Sequence, residues 1–341
     1  SVMATKHKSS FSLYDDDDLE EEPIVKKPKE IAKSESTEST VTEEDSPKPS
    51  EIVEFKHELF YVMGSRRGER MEMEDAHISI PSFVTHEPRI VSRSSLFAIL
   101  DGHGGSRAST FCATHLPHIL TKLAAQHKSV DSLEKGMKKV MTDMYKSADT
   151  SFLNEARSHK PAWKDGTTAT TLYLLNDVFY VANIGDSKAI VCRQKQEKNV
   201  IVELTEDHNP QKYEERERIE KAGGVVKNGR IDGVIEVSRS IGDGQFKTRG
   251  VTCVPHVKKF TLTAEDKFII IACDGLWKSF TNEDAVQFVL DSLKKSEEKE
   301  EVMERGKRAQ WELVASEMAA EAVRRRCGDN VSLLILVLDT A

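Results

Sequence analysis

The sequence lacks the features that mark several large protein classes. No apolar stretch in its 341 residues approaches the roughly 18–20 that span a bilayer. Residues 1–50 are polar almost throughout and lack the apolar run of a secretory signal. Cysteine is scarce: Cys112, Cys192, Cys253, Cys273 and Cys327 are odd in number and never spaced C-x-x-C. That argues against a disulfide framework or a Cys-zinc site and for a reducing compartment. With no signal peptide, the sequon Asn330-Val331-Ser332 is not read as a glycosylation site. Positive charge is in deficit: 49 Lys and Arg against 57 Asp and Glu leave −8. Nucleic-acid binding runs on Lys and Arg neutralising phosphates, so that class is excluded too. A soluble intracellular protein remains, cytoplasmic and, given a basic patch described next, open to the nucleus.

What is present changes character near residue 50. Residues 1–50 carry the run Asp15–Asp18, the block Glu20–Glu22 and a Ser/Thr/Glu-rich stretch to Thr42. They offer little to bury, so a disordered acidic tail is expected. Lys26-Lys27-Pro28-Lys29 reads as a solvated charge run before it reads as a nuclear-import patch. From residue 51 to 341 a single globular domain is expected. Short apolar runs read as buried strands: Leu96–Leu100, Ala169–Leu175, Val178–Ile184, Phe268–Ala272 and Val331–Leu338. Helical spacing recurs over Ser106–Gln126, Leu133–Asn154, Gln211–Ala222, Asn282–Leu293 and Trp311–Val323. Two helices follow one strand and strands then cluster, which favours α+β layering over a doubly wound parallel sheet. Lys294–Lys307, dense in Glu and Lys, reads as a surface insertion or frayed helix end.

The acids fall in unusual places. Asp101 follows Leu96–Leu100 in D-G-H-G-G, Asp274 follows Ile269–Cys273, Asp186 ends A-N-I-G-D, and Asp329 precedes the last strand. Carboxylates at the mouths of several strands converge, and burying them without a cation costs several kcal/mol each. An oxygen-only cluster selects a hard cation, Mg²⁺ or Mn²⁺. Gly102 is placed to lend a carbonyl, and His103 beside it to give a proton near neutral pH. Upstream, Arg70-Met71-Glu72-Met73-Glu74-Asp75 taken alone reads as an exposed amphipathic strand. Ahead of D-G-H-G-G, Arg70 reads instead as a phosphate clamp next to a metal ligand, because its planar fork donates paired hydrogen bonds.

These runs come in a telling order: R-M-E-M-E-D-A-H, D-G-H-G-G, D-G-T-T-A, A-N-I-G-D-S, V-S-R-S-I-G-D, C-D-G-L-W and G-D-N-V-S. Over about residues 58–338 the chain resembles the metal-dependent Ser/Thr protein phosphatases of type 2C, the PPM family. The resemblance implies a central β-sandwich of two antiparallel sheets flanked by helix pairs. It also implies two Mg²⁺ or Mn²⁺ ions per subunit that activate a water to hydrolyse phosphoserine and phosphothreonine. By motif, Asp101 would serve both ions, Glu74 and the Gly102 carbonyl one of them, and Asp274 and Asp329 the other. Asp75 would orient a water, Arg70 would grip the phosphate, and His103 would protonate the leaving oxygen. Phosphorylated proteins are the implied partners, with neither nucleic acid nor membrane, and a monomer is expected. Three further segments, 160–166, 213–216 and 240–247, are similar to the integrin-linked kinase-associated branch, which implies that kinase as a partner.

Two departures stand out. Lys278 replaces an acid that helps many relatives hold a third, weaker metal, so Asp186 and Asp274 would face a cation. Lys188 replaces a common arginine. The competing function is a phosphatase-shaped module that binds kinases without turnover, but Arg70, Glu74, Asp101, Asp274 and Asp329 are all present. His77 and His208 are read as structural or as supporting groups behind the site, Trp163, Trp277 and Trp311 as packing, and Cys273 as a small buried hydrophobe. Arg239 and Asp243 are expected to shape a flap with Gly223–Gly233.

Overall fold

The computed structural model describes residues 57–83 and 93–340, so the expectations for the tail lie outside the described residues. Two five-stranded antiparallel sheets dominate. One runs β1 (His57–Arg66), β15 (Val331–Thr340), β14 (Asp266–Ala272), β8 (Lys188–Lys195), β9 (Lys198–Glu203). The other runs β13 (His256–Thr261), β7 (Val178–Ile184), β6 (Ala169–Leu175), β3 (Ser94–Leu100), β2 (Ala76–Ile80).

Alternation along each strand explains the layering, because successive side chains face opposite ways. Phe97 and Ile99 of β3 meet Leu172, Leu174, Phe179 and Val181, and across the sandwich Ile269, Ile271, Leu334 and Leu336. Leu96, Ala98 and Leu100 point the other way, into a core with α1 (Arg107–Ala124) and α2 (Val130–Ser158). Phe268, Ile270, Leu333 and Ile335 likewise pack under α5 (Asn282–Ser296) and α7 (Lys307–Arg324). Both faces of both sheets are covered, so the central strands read as unbroken apolar runs even though they are antiparallel. The Tyr145 hydroxyl pins α2 to its sheet, lying 3.1 Å from the Ala169 carbonyl oxygen and 3.0 Å from that of Ala182.

Three very short strands, β4 (Gly102–His103), β5 (Gly166–Thr167) and β12 (Ile241–Gly242), pair beside the sandwich. A two-stranded hairpin, β10 (Val226–Lys227) and β11 (Arg230–Ile231), occupies the glycine-rich 223–233 stretch, just after α3 (Tyr213–Lys221). Helix α4 (Asp274–Trp277) follows β14 directly, and α6 (Glu300–Glu304) lies within the Glu/Lys-rich span. No helix among the described residues is long and apolar enough to cross a membrane. Residues 67–75 form a loop between β1 and β2, so the strand that Arg70–Asp75 suggests when taken alone does not form; backbone groups of Glu72 and Glu74 bind the Asn330 side chain instead.

Candidate active site

Antiparallel pairing sets the end of one strand beside the start of its neighbour. Ala76 of β2 lies opposite Leu100 of β3, so Asp75 and Asp101 emerge together. Ala272 of β14 lies opposite Leu333 of β15, which brings Asp274 close to the Asp329-Asn330 turn. Asp186 follows β7, whose Ile184 pairs with Ala169 of β6. Thr168 just ahead of β6 accepts the Asp101 N–H at 3.2 Å on its hydroxyl and donates its own N–H to the Asp101 carbonyl at 2.9 Å. The D-G-T-T-A motif therefore holds the backbone of Asp101.

The loops close tightly on one another. A Cβ at Gly102 would collide with the Glu74 carbonyl oxygen, so only glycine lets these two segments touch. Asn330 fastens the 67–75 loop: its Oδ1 accepts from Glu74 N–H at 2.8 Å, and its Nδ2 donates to the carbonyls of Arg67 at 2.7 Å and Glu72 at 3.0 Å. Sequence reasoning gave Asn330 no role. A polar residue at the head of a largely apolar strand was the signal for it.

One cleft of about 640 Å³ is lined by Arg70, Glu74, Asp101, Gly102, His103, Asp274 and Asp329, with Asp186 and Lys278. The expected metal-binding residues, Arg70 and His103 are thus brought to one place. Asp101, Asp186 and Asp274 each offer a carboxylate oxygen within 4.8 Å of the others, and Asp75 and Cys273 form a similar group with Asp101. Crowding shows in their acidities. Burial, reinforced by Asp75, Asp274 and Asp186, holds Asp101 well above the ordinary carboxylate range. Burial, with Asp274, pushes Asp186 up to about 7. Burial also pushes Asp75 up to about 6, and its Oδ2 is buried with no hydrogen-bond partner. Burial raises Asp274 even though Lys278 opposes it.

The cations and the histidine are held specifically. Arg70 places Nη2 2.9 Å from Asp329 Oδ2 and donates through Nε to the Gly328 carbonyl at 3.2 Å. Lys278 Nζ lies 2.6 Å from Asp274 Oδ2 and 3.0 Å from Asp329 Oδ2. The ammonium thus contacts Asp274 as expected, but its second carboxylate contact is Asp329 instead of Asp186. His103 Nε2 lies 2.7 Å from Asp243 Oδ2. Burial pulls the imidazole down, but Asp243, by charge and hydrogen bond, with Asp186 and Glu74, raises it overall. Asp243, 3% exposed at the side chain, also accepts from the Ser240 hydroxyl at 2.6 Å. Expected only as a flap residue, it is the histidine's partner. Arg239 places Nη2 2.6 Å from Glu215 of α3 and donates through Nη1 to the Val254 carbonyl at 2.9 Å.

Comparison with known proteins accords with this geometry. The family model described as "Protein phosphatase 2C" matches residues 60–331. The integrin-linked kinase-associated serine/threonine phosphatase 2C of Homo sapiens is 43% identical over 309 residues, 86% of this chain and 78% of that protein. The protein of the same name from Rattus norvegicus is 46% identical over 283 residues, covering 80% and 71%. A solved serine-threonine phosphatase 2C from Toxoplasma gondii shares the fold, with a TM-score of 0.64 at 20% identity, over 84% of this chain and 96% of that one. The chain belongs to the protein phosphatase 2C family of serine/threonine phosphatases.

Proposed function

We propose that this chain removes phosphate from phosphoserine and phosphothreonine of proteins by direct hydrolysis at the cleft, using two divalent ions, Mg²⁺ or Mn²⁺. The observation that carries the reading is the convergence of Asp101, Asp186 and Asp274 beside Arg70 in one cleft. The residues fit hard cations: the carboxylate donors are all oxygen, burial raises their pKa values, and Asp75 keeps a buried oxygen without a partner. Asp101, Glu74 and the Gly102 carbonyl would hold one ion, and Asp101, Asp274 and Asp329 the other. Bound there, such ions supply Lewis acidity and lower the pKa of water.

The chain's own groups do the rest. Arg70, over half exposed and anchored through Asp329, offers its guanidinium to the phosphate oxygens. His103, kept protonated by Asp243, hands a proton to the departing serine or threonine oxygen. With Nε2 committed to Asp243, Nδ1 is the nitrogen left for that transfer. No covalent phospho-enzyme is needed, and burial pushes the Cys273 thiol far up, which suits packing and not attack. The name of the mammalian relatives carries integrin-linked kinase, and by that likeness we infer the same kinase as a partner.

The test is phosphate release from a phosphothreonine peptide with Mn²⁺, with Mg²⁺ and with EDTA, alongside Asp274→Asn. Turnover is expected only with metal and is expected to collapse in the variant. A folded protein inert under every condition would instead favour a binding module.

A further inference from the structure

Six large apolar side chains stand exposed among the described residues, and two of them, Met71 and Val234, line the cleft that holds Arg70. Met71 is 89% exposed and follows Arg70 directly in the chain; Val234 is 56% exposed and comes from the turn after the β10–β11 hairpin. A single exposed apolar side chain is ordinary; two of them on one polar cleft form a place where an apolar group of a ligand can leave water. Neither sits on a loose end. Arg230 Nη1 donates to the Val234 carbonyl at 2.8 Å, and Val234 N–H donates to the Ile231 carbonyl at 2.9 Å. Asp232 of the same turn is gripped by Arg249, with Nε 2.7 Å from its Oδ2. The turn is thus built to present Val234.

The neighbouring charges cancel. Arg230 pairs with Glu236, and the buried Ile235 and Val237 complete an apolar wall beside it. On the other side, exposed Glu72 next to Met71 adds a negative charge that disfavours acidic approach. Resting on the phosphatase reading, we infer that Met71 and Val234 form an apolar pair of jaws at the cleft mouth. They select phosphoserine or phosphothreonine flanked by an apolar residue. While Arg70 holds the phosphate, the neighbouring side chain of the peptide packs between methionine and valine and is removed from water there.

The test uses short phosphothreonine peptides that differ only in carrying Leu or Glu on either side of the phosphorylated residue, with p-nitrophenyl phosphate as a small substrate. The parent is expected to favour the Leu-flanked peptides in kcat/KM by about tenfold, the discrimination one apolar side chain provides in a pocket. Met71→Glu and Val234→Glu are each expected to pull that ratio toward one. Both positions are solvent-exposed, so the substitutions leave the core untouched. Equal kcat/KM for both peptide types overturns the inference, as does an unchanged ratio in both variants, when p-nitrophenyl phosphate is still turned over with metal. A parent that fails to hydrolyse even that small ester in Mn²⁺ removes the phosphatase reading and this inference with it.

Discussion

His208 should make the fold lose stability on mild acidification, by an amount that can be worked out. The residue is 3% exposed; its N–H donates to the Gly185 carbonyl at 2.8 Å, and its ring Nδ1 is buried with no hydrogen-bond partner. Burial, reinforced by Arg239 and by Lys212 and His256 and opposed only by Glu215, lowers its pKa from 6.5 to about 3. The sign follows from linkage. In the unfolded chain the ring binds a proton below about pH 6.5, while in the folded protein it stays neutral until about pH 3, so the unfolded state gains protons first. Folding is unpenalised above pH 7 and loses stability as pH falls through that window, at up to roughly 1.4 kcal/mol per pH unit. Between pH 7 and pH 5 the loss comes to about 2 kcal/mol, a substantial part of the stability of an ordinary domain. The assay is urea unfolding of the parent and His208→Asn at pH 7 and pH 5, in EDTA so that metal linkage does not enter. Asparagine is uncharged at both values, so the parent should lose about 2 kcal/mol more than the variant over this interval. What matters is this difference in slope, not whether the variant is weaker at pH 7. Parallel losses in the two proteins would falsify the account of His208 as a buried neutral ring.

Two further outcomes follow from the cleft. Asp243→Asn removes the carboxylate that keeps His103 raised, so the alkaline limb of the kcat–pH profile should move to lower pH; an unmoved limb would separate Asp243 from the proton donor. Lys278→Met takes an ammonium away from Asp274 and Asp329, and titration calorimetry should show Mn²⁺ binding about fivefold tighter, in line with roughly 1 kcal/mol for a partly exposed ion pair. Unchanged affinity would mean that the lysine does not compete for those carboxylates.

The fold was legible where burial was complete. β3, β6, β7, β14 and β15 are covered on both faces and announce themselves as apolar runs, and the long helices show their stripe. The edge strands were not legible. β9 and β13 are short and carry exposed Lys198, Glu203 and Lys259, which suits a sheet edge that must not recruit another chain. β1 lies at the opposite edge, with only its central residues half-buried or buried beneath α7. Residues 71–74 alternate like a strand, yet backbone groups of this loop go to the side chains of Asn330 and Ser109; alternation reports which residues differ, not what the backbone binds.

The site divides along the same line, between what stands next in the chain and what stands next in space. Asp101, Gly102, His103, Asp274 and Asp329 were readable because each sits beside a glycine or at a strand end, where a local string carries the information. Their partners are not local. Asp243 lies 140 residues from His103, and Asn330 reaches 256 residues back to Glu74. Lys278 was visible as an oddity, but which carboxylates it touches depends on how β14 and β15 pair. An antiparallel sandwich collects strand ends from all along the chain at one rim, so the acids of its cleft can be listed from sequence. The contacts that set their charge and orientation arise only when the sheets close: Lys278 between Asp274 and Asp329, and Asp243 on Nε2 of His103, which leaves Nδ1 as the free ring nitrogen.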